Sequence, residues 1–161
     1  MGVWQNVAKV ALWLPVGVTV NALVVSLASV KGRSMQPVLN NGLKQDTVRD
    51  RVLLDKFSVQ VRHCYERGDV VVLASPEAAG QYLIKRLVAL QGDVVTDSNG
   101  VHRLVPVGKC WVEGDNPDFS DDSNIYGPVP LALIEARVVA VVWPPSQAKI
   151  VKSTLSEHVD V

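Results

Sequence analysis

The stretch "GDVVVLASPEAAGQYLIKRLVALQGDVVT", Gly68 to Thr96, decides the fold. A Gly-Asp turn opens the β-branched run Val70 to Val72, a combination suited to a pleated, buried strand. "PEAAG" (76–80) is turn-rich, "QYLIKRLVAL" (81–90) is a second apolar run, and "QGD" breaks it before "VVT". Upstream lies "DRVLLDKF" (50–57). Downstream come the hairpin signal "DSNG" (97–100), then "VHRLV", "KCWVEG" and "ARVVAVVW" (136–143). Short strands separated by Gly, Pro, Asn and Asp predict a mainly β domain over residues 31–145, built on an antiparallel sheet or barrel. "PLALIEA" (130–136) is expected to form a short helix with Pro130 at its first position. Gly-Asp-Val-Val occurs at Gly68 and again at Gly92, one turn-into-strand device used twice and not a domain repeat. Pro144-Pro145 stops the last strand, and residues 146–161 read as a polar tail, a short helix or loose end.

The composition suits a folded chain of one domain: 161 residues, 48% hydrophobic and 20% charged. A formal net charge of +0 argues against a nucleic-acid partner, which calls for a basic stripe. Cys64 and Cys110 lack metal-ligand spacing and are either isolated thiols or a single bridge. After a short segment, 1–9, residues 10–30 ("VALWLPVGVTVNALVVSLASV") run without a charge. As one helix they would reach roughly 30 Å, enough to cross a bilayer core, so a single transmembrane anchor is expected there. A cleaved secretory signal is the rival, with an apolar core of only about 7–15 residues. Lys9 before the run and Lys31 and Arg33 after it leave its orientation undecided.

Directly behind this run, "VKGRSMQPVLNNG" (30–42) presents a lone serine, Ser34. A serine hydroxyl is a weak nucleophile without an adjacent base. His63, His102 and His158 stand in no recognisable nucleophile-base pattern, and no G-x-S-x-G elbow occurs. A lysine desolvated among apolar side chains is the other kind of base, because burial disfavours its charged form. Lys85 qualifies: on a strand it shares a face with Leu83, Leu87 and Ala89.

"SMQP" after a hydrophobic segment, "RGDVVVL", "IKRLVALQGD" and "EGDNPDFSDDSNIYGPV" follow one another in this order. In this the chain resembles the type I signal peptidases, membrane-anchored Ser/Lys proteases, and most closely the mitochondrial inner membrane protease branch. The resemblance implies a signal-peptidase-like catalytic domain that removes presequences from precursor proteins bound for the intermembrane space. It also implies an inner-membrane location with the domain facing that space, a heterodimer with a sister subunit, and no metal or cofactor. On matched positions Ser34 is the nucleophile, Lys85 the general base and Met35 part of the substrate pocket. Gly114-Asp115-Asn116, Asp122 and Ser123 support the site, with Ser123 expected to orient Lys85. The chain departs from bacterial relatives at Gly32, where a second oxyanion hydroxyl often stands, and at Asn124, commonly arginine. Ala89 and Gln91 replace a glycine and a proline of the bacterial pattern. These departures leave one alternative, a catalytically silent β subunit that stabilises a partner protease.

Overall fold

In the computed structural model, which describes Trp13, residues 24–41, 49–154 and the backbone of 159–160, the quoted stretch lies at the centre. Strand β3 (Val70–Ala74) is the middle strand, and Val70, Val71 and Leu73 are at most 1% exposed. Both of its faces are covered, which explains why the run is continuously apolar and does not alternate. Numbered along the chain, β1 is Val25–Ser29, β2 Arg51–Asp55, β4 Tyr82–Leu90, β5 Val94–Thr96, β6 His102–Leu104 and β7 Lys109–Glu113. The remainder are β8 (Val129–Pro130), β9 (Ile134–Trp143), β10 (Lys149–Ile150) and β11 (Val159–Asp160). The main sheet runs β1-β2-β9-β3-β4-β7-β8, with β10 also on β9; β11-β5-β6 form a small second sheet. Every pairing among the described residues is antiparallel, as the strand spacing predicts.

Three apolar clusters hold this sheet. Met35, Leu39, Val52, Val72 and Val138 pack on one side, and Val71, Leu73, Leu87, Cys110 and Val112 on the other. The third gathers Val88, Ala89, Val95 and Val105 around Trp111, which is 0% exposed. A bulge between Leu87 and Ala89 separates the last two clusters. The expected common face of Leu83, Lys85, Leu87 and Ala89 is therefore corrected. Leu83 and Leu87 pack into the second cluster, whereas the extra residue turns Ala89 toward Trp111.

Two further expectations are corrected. Residues 25–29 of the uncharged run are not membrane helix but strand β1, paired with β2 from Val25↔Asp55 to Ser29↔Arg51. The β-branched Val24-Val25 favours extension, Ser26 and Ser29 tolerate the half-exposed edge, and Ala28 and Val30 reach the first cluster. Apart from Trp13, residues 10–23 of the expected anchor lie outside the described residues, and among those described no helix is long and apolar enough to cross a membrane. "PLALIEA" also forms no helix. Pro130 ends β8, Leu131–Leu133 make one 3₁₀ turn, and Ile134 already starts β9.

The start of the tail is ordered. Pro145–Gln147 form a 3₁₀ turn, and β10 lies on β9 with Lys149↔Val141 and Ile150↔Ala140, continuing the side where β3 leaves off. The two Gly-Asp turns are alike: Gly68 and Gly92 both have φ +89°, and Asp69 and Asp93 each accept the backbone N–H three residues back. Only glycine adopts that backbone region without strain. Cys64 is exposed and Cys110 buried, so both are free thiols.

Candidate active site

Ser34 stands on a turn that the chain makes between Val30 and Asn40, and buried hydrogen bonds fix that turn at its base. Asn40, 3% exposed and at φ +55°, donates its Nδ2 to the carbonyls of Gly32 (2.9 Å) and Val30 (3.3 Å). Its Oδ1 accepts the Asp50 N–H at 3.0 Å, and the Asp50 carboxylate accepts the Asn40 N–H at 2.7 Å. Asparagine tolerates the left-handed region and carries both donor and acceptor, so one residue closes the loop. Met35 and Leu39 plug the turn into the first apolar cluster. The Ser34 carbonyl is held from a second direction by the Asn116 N–H at 2.9 Å.

Lys85 comes from the middle of β4 opposite Val71, and the residue is only 3% exposed. It lines the same cavity as Ser34, of about 220 Å³, walled by Ala28, Val30, Met35, Val72 and Ile84. Burial pushes its amine below the ordinary 10.5, against the opposing pull of the Asp122 and Asp121 carboxylates. The amine donates to Ser120 Oγ at 2.6 Å, and Ser120 Oγ donates in turn to Asp122 Oδ2, also at 2.6 Å. Asp122, 4% exposed, further accepts the Gly114 N–H and caps the short helix Ser123–Tyr126 through the Asn124 N–H. Its negative charge is thus tied down by several donors and meets the amine only through an intervening hydroxyl.

The structure therefore brings together Ser34, Met35, Lys85 and Asp122 but corrects Ser123. The residue is 1% exposed, and its hydroxyl accepts the Val112 N–H at 3.0 Å, turned onto β7. Ser120 is the residue that reading the sequence missed. "DFSDDS" offers two serines three apart, and spacing alone does not say which one turns inward. The 3₁₀ turn Pro117–Phe119 decides, since it delivers Ser120 to Lys85 before the helix begins at Ser123.

Two elements brace this arrangement. Arg86, next to the lysine and 6% exposed, forks onto Asp115 with Nε–Oδ1 2.6 Å and Nη2–Oδ2 2.7 Å. Gly114 has no room for a side chain: a Cβ there would lie 2.6 Å from both the Ser34 carbonyl oxygen and Ser120 Cβ. At the two departures, Gly32 has φ +87° on the cavity rim, and Asn124 reaches Glu113 and Asp122 with its Nδ2. An uncharged amide at position 124 keeps a second cation away from Asp122 and the lysine.

Residues 3–101 and 96–143 match the family described as signal peptidase, peptidase S26. The chain is 43% identical over 144 residues to mitochondrial inner membrane protease subunit 2 of Mus musculus, covering 88% of this chain and 81% of the mouse protein. It is 40% identical to subunit 1 of Schizosaccharomyces pombe, covering 70% of each. A solved signal peptidase I of Enterococcus faecalis aligns at 26% identity over 46% of this chain and 96% of its own, with a TM-score of 0.40. Matched by the family from near its first residue to the end of β9, and by relatives along most of their own length, this chain belongs to the signal peptidase family, peptidase S26, and is a serine endopeptidase.

Proposed function

We propose that the protein is a membrane-anchored Ser/Lys endopeptidase of the mitochondrial inner membrane that removes presequences from precursors delivered to the intermembrane space. Ser34 is its nucleophile, Lys85 its general base, and Ser120 with Asp122 the pair that positions Lys85. The observation that carries this is the bond order at the amine. Ser120 spends its own proton on Asp122 and offers Lys85 only lone pairs. A neutral amine can then satisfy Ser120 with an N–H and keep its single lone pair for the Ser34 proton.

The steps follow. Ser34 Oγ attacks the scissile carbonyl carbon as its proton passes to Lys85 Nζ. The tetrahedral oxyanion is met mainly by the Ser34 backbone N–H. The C–N bond breaks, and the Lys85 ammonium protonates the leaving amine. A water then gives a proton to Lys85, its oxygen attacks the acyl ester, and Ser34 Oγ recovers the proton as the acid leaves. An extended peptide laid along the cavity between β1 and β4 would present small side chains to the 220 Å³ space beside Met35. Similarity to both subunit types supports a heterodimer with a sister subunit.

The test is cleavage of a presequence-bearing precursor by the membrane-bound protein. Ser34→Ala and Lys85→Ala should each abolish it while both variants stay in the membrane fraction. Wild-type activity in either variant overturns the dyad.

A further inference from the structure

The ordered start of the tail touches the molecule at one place that the reaction above does not use. After β10, the Ser153 hydroxyl bonds Asp69 Oδ1, and the Thr154 N–H donates to the Gly68 carbonyl at 3.2 Å. The fit is close: a Cβ on Gly68 would meet Thr154 backbone atoms at 2.7–2.8 Å. The same Gly68 carbonyl accepts Arg86 Nη1 at 2.7 Å, and that contact is buried. Arg86 then holds Asp115 with its other two nitrogens, and the next residue, Asn116, holds the Ser34 carbonyl.

We infer that residues 149–154 form a positioning strap for the nucleophile, acting through Gly68, Arg86 and the 115–116 backbone. The inference rests on the assignment of Ser34 above. A guanidinium with three planar attachment points transmits position well, because its fork geometry leaves little angular freedom. The strap supplies the only ties that reach the Gly68-Asp69 turn from beyond β9 among the described residues. Without them the turn keeps its backbone bonds to Leu87 (Gly68 N–H to Leu87 O 2.7 Å, Leu87 N–H to Asp69 O 2.8 Å), the Glu66 N–H on Asp69 and the 3.6 Å approach of Arg137. The Gly68 carbonyl then has Arg86 as its one remaining partner, and the Asp69 side chain loses its tie to the tail. Freed at its strap side, the Gly68 carbonyl loosens its hold on Arg86, and Ser34 loses registration against Lys85.

The experiment uses the full chain in its membrane complex, with Ser153→Ala, Thr154→Pro (which deletes the N–H) and Ser153→Thr. Amide exchange at Asn116 and the split between kcat and KM on a presequence peptide are both measured. Displacements of about an ångström in a catalytic array cost up to roughly 100-fold, so this indirect loosening is expected to lower kcat roughly 10-fold. KM should stay within about twofold. Exchange at Asn116 should quicken selectively, and Ser153→Thr should restore both readings. Wild-type kcat with wild-type Asn116 exchange in both disruptive variants overturns the strap. So does quicker exchange spread evenly over β3, β4 and β9, which would mark ordinary loss of stability, or quicker Asn116 exchange with kcat unchanged. Cleavage by Ser34→Ala would defeat the dyad instead, and the Asn116 exchange would still judge the strap.

Discussion

Lys85 is buried to 3% exposure, yet no carboxylate forms an ion pair with it among the described residues. A direct contact with Asp122 would favour the ammonium; the interposed Ser120 leaves desolvation in command. Two outcomes follow at this scale. Activity should rise with pH as Lys85 loses its proton and fall as the solution is made acidic, with its acid limb below the 10.5 of a free lysine. A flat kcat/KM profile from about pH 5 to 9 would contradict a lysine base. The same lowered value means that the folded protein sheds this proton earlier than the unfolded chain. Stability therefore grows as pH climbs through the lowered value toward 10.5, and an ammonium in this site is a liability below it. Lys85→Met, which keeps the volume and removes the charge, should raise Tm by a few degrees at neutral pH while killing activity. Ser34 and Lys85 could be proposed from the sequence because ordered motifs single them out, a serine behind an apolar run and a lysine inside one, and both line one cavity. Ser120 was not, since its role depends on which way a three-residue turn throws the chain.

Asn40 shows how an element is made reactive by being held still. The Ser34 turn contains no regular helix or strand, and its stiffness comes from one asparagine bonded to Gly32, Val30 and Asp50. Asn40→Ala leaves buried backbone groups without partners and puts an ordinary residue at φ +55°. The cost should be about 2–3 kcal/mol, read as a lower denaturant midpoint with unchanged slope, together with a lower kcat. Strands β2 to β7 and β9 were readable from β-branched runs and Gly-Asp punctuation. Strand β1 was not, because Val25 to Ser29 continues an uncharged run, and only its partner, 22 to 30 residues further on, makes it a strand. β10 was hidden for the same reason: Lys149 and Ile150 carry no strand signal of their own and are set by the register of β9.

Across the whole molecule the two cysteines sit at opposite ends of the accessibility scale. Cys110, 0% exposed among Val71, Leu87 and Val112, has its thiol pushed up to about 12 by burial, whereas Cys64 is exposed. A thiol reagent should label Cys64 within the first minutes and Cys110 only at the rate of global unfolding, so that its labelling slows as added ligand stabilises the fold. Equal labelling of both in native buffer would mean that β4 and β7 part independently of the rest. Gly114, finally, lets two loops meet at the width of a bare backbone, since the space a Cβ would take is already bounded by the Ser34 carbonyl and Ser120. Any side chain there would wedge the attacking hydroxyl's loop away from the one seating the amine. The spacing of the two loops is thereby written into the skeleton by a missing side chain, so an incoming polypeptide meets a jaw whose setting is already machined.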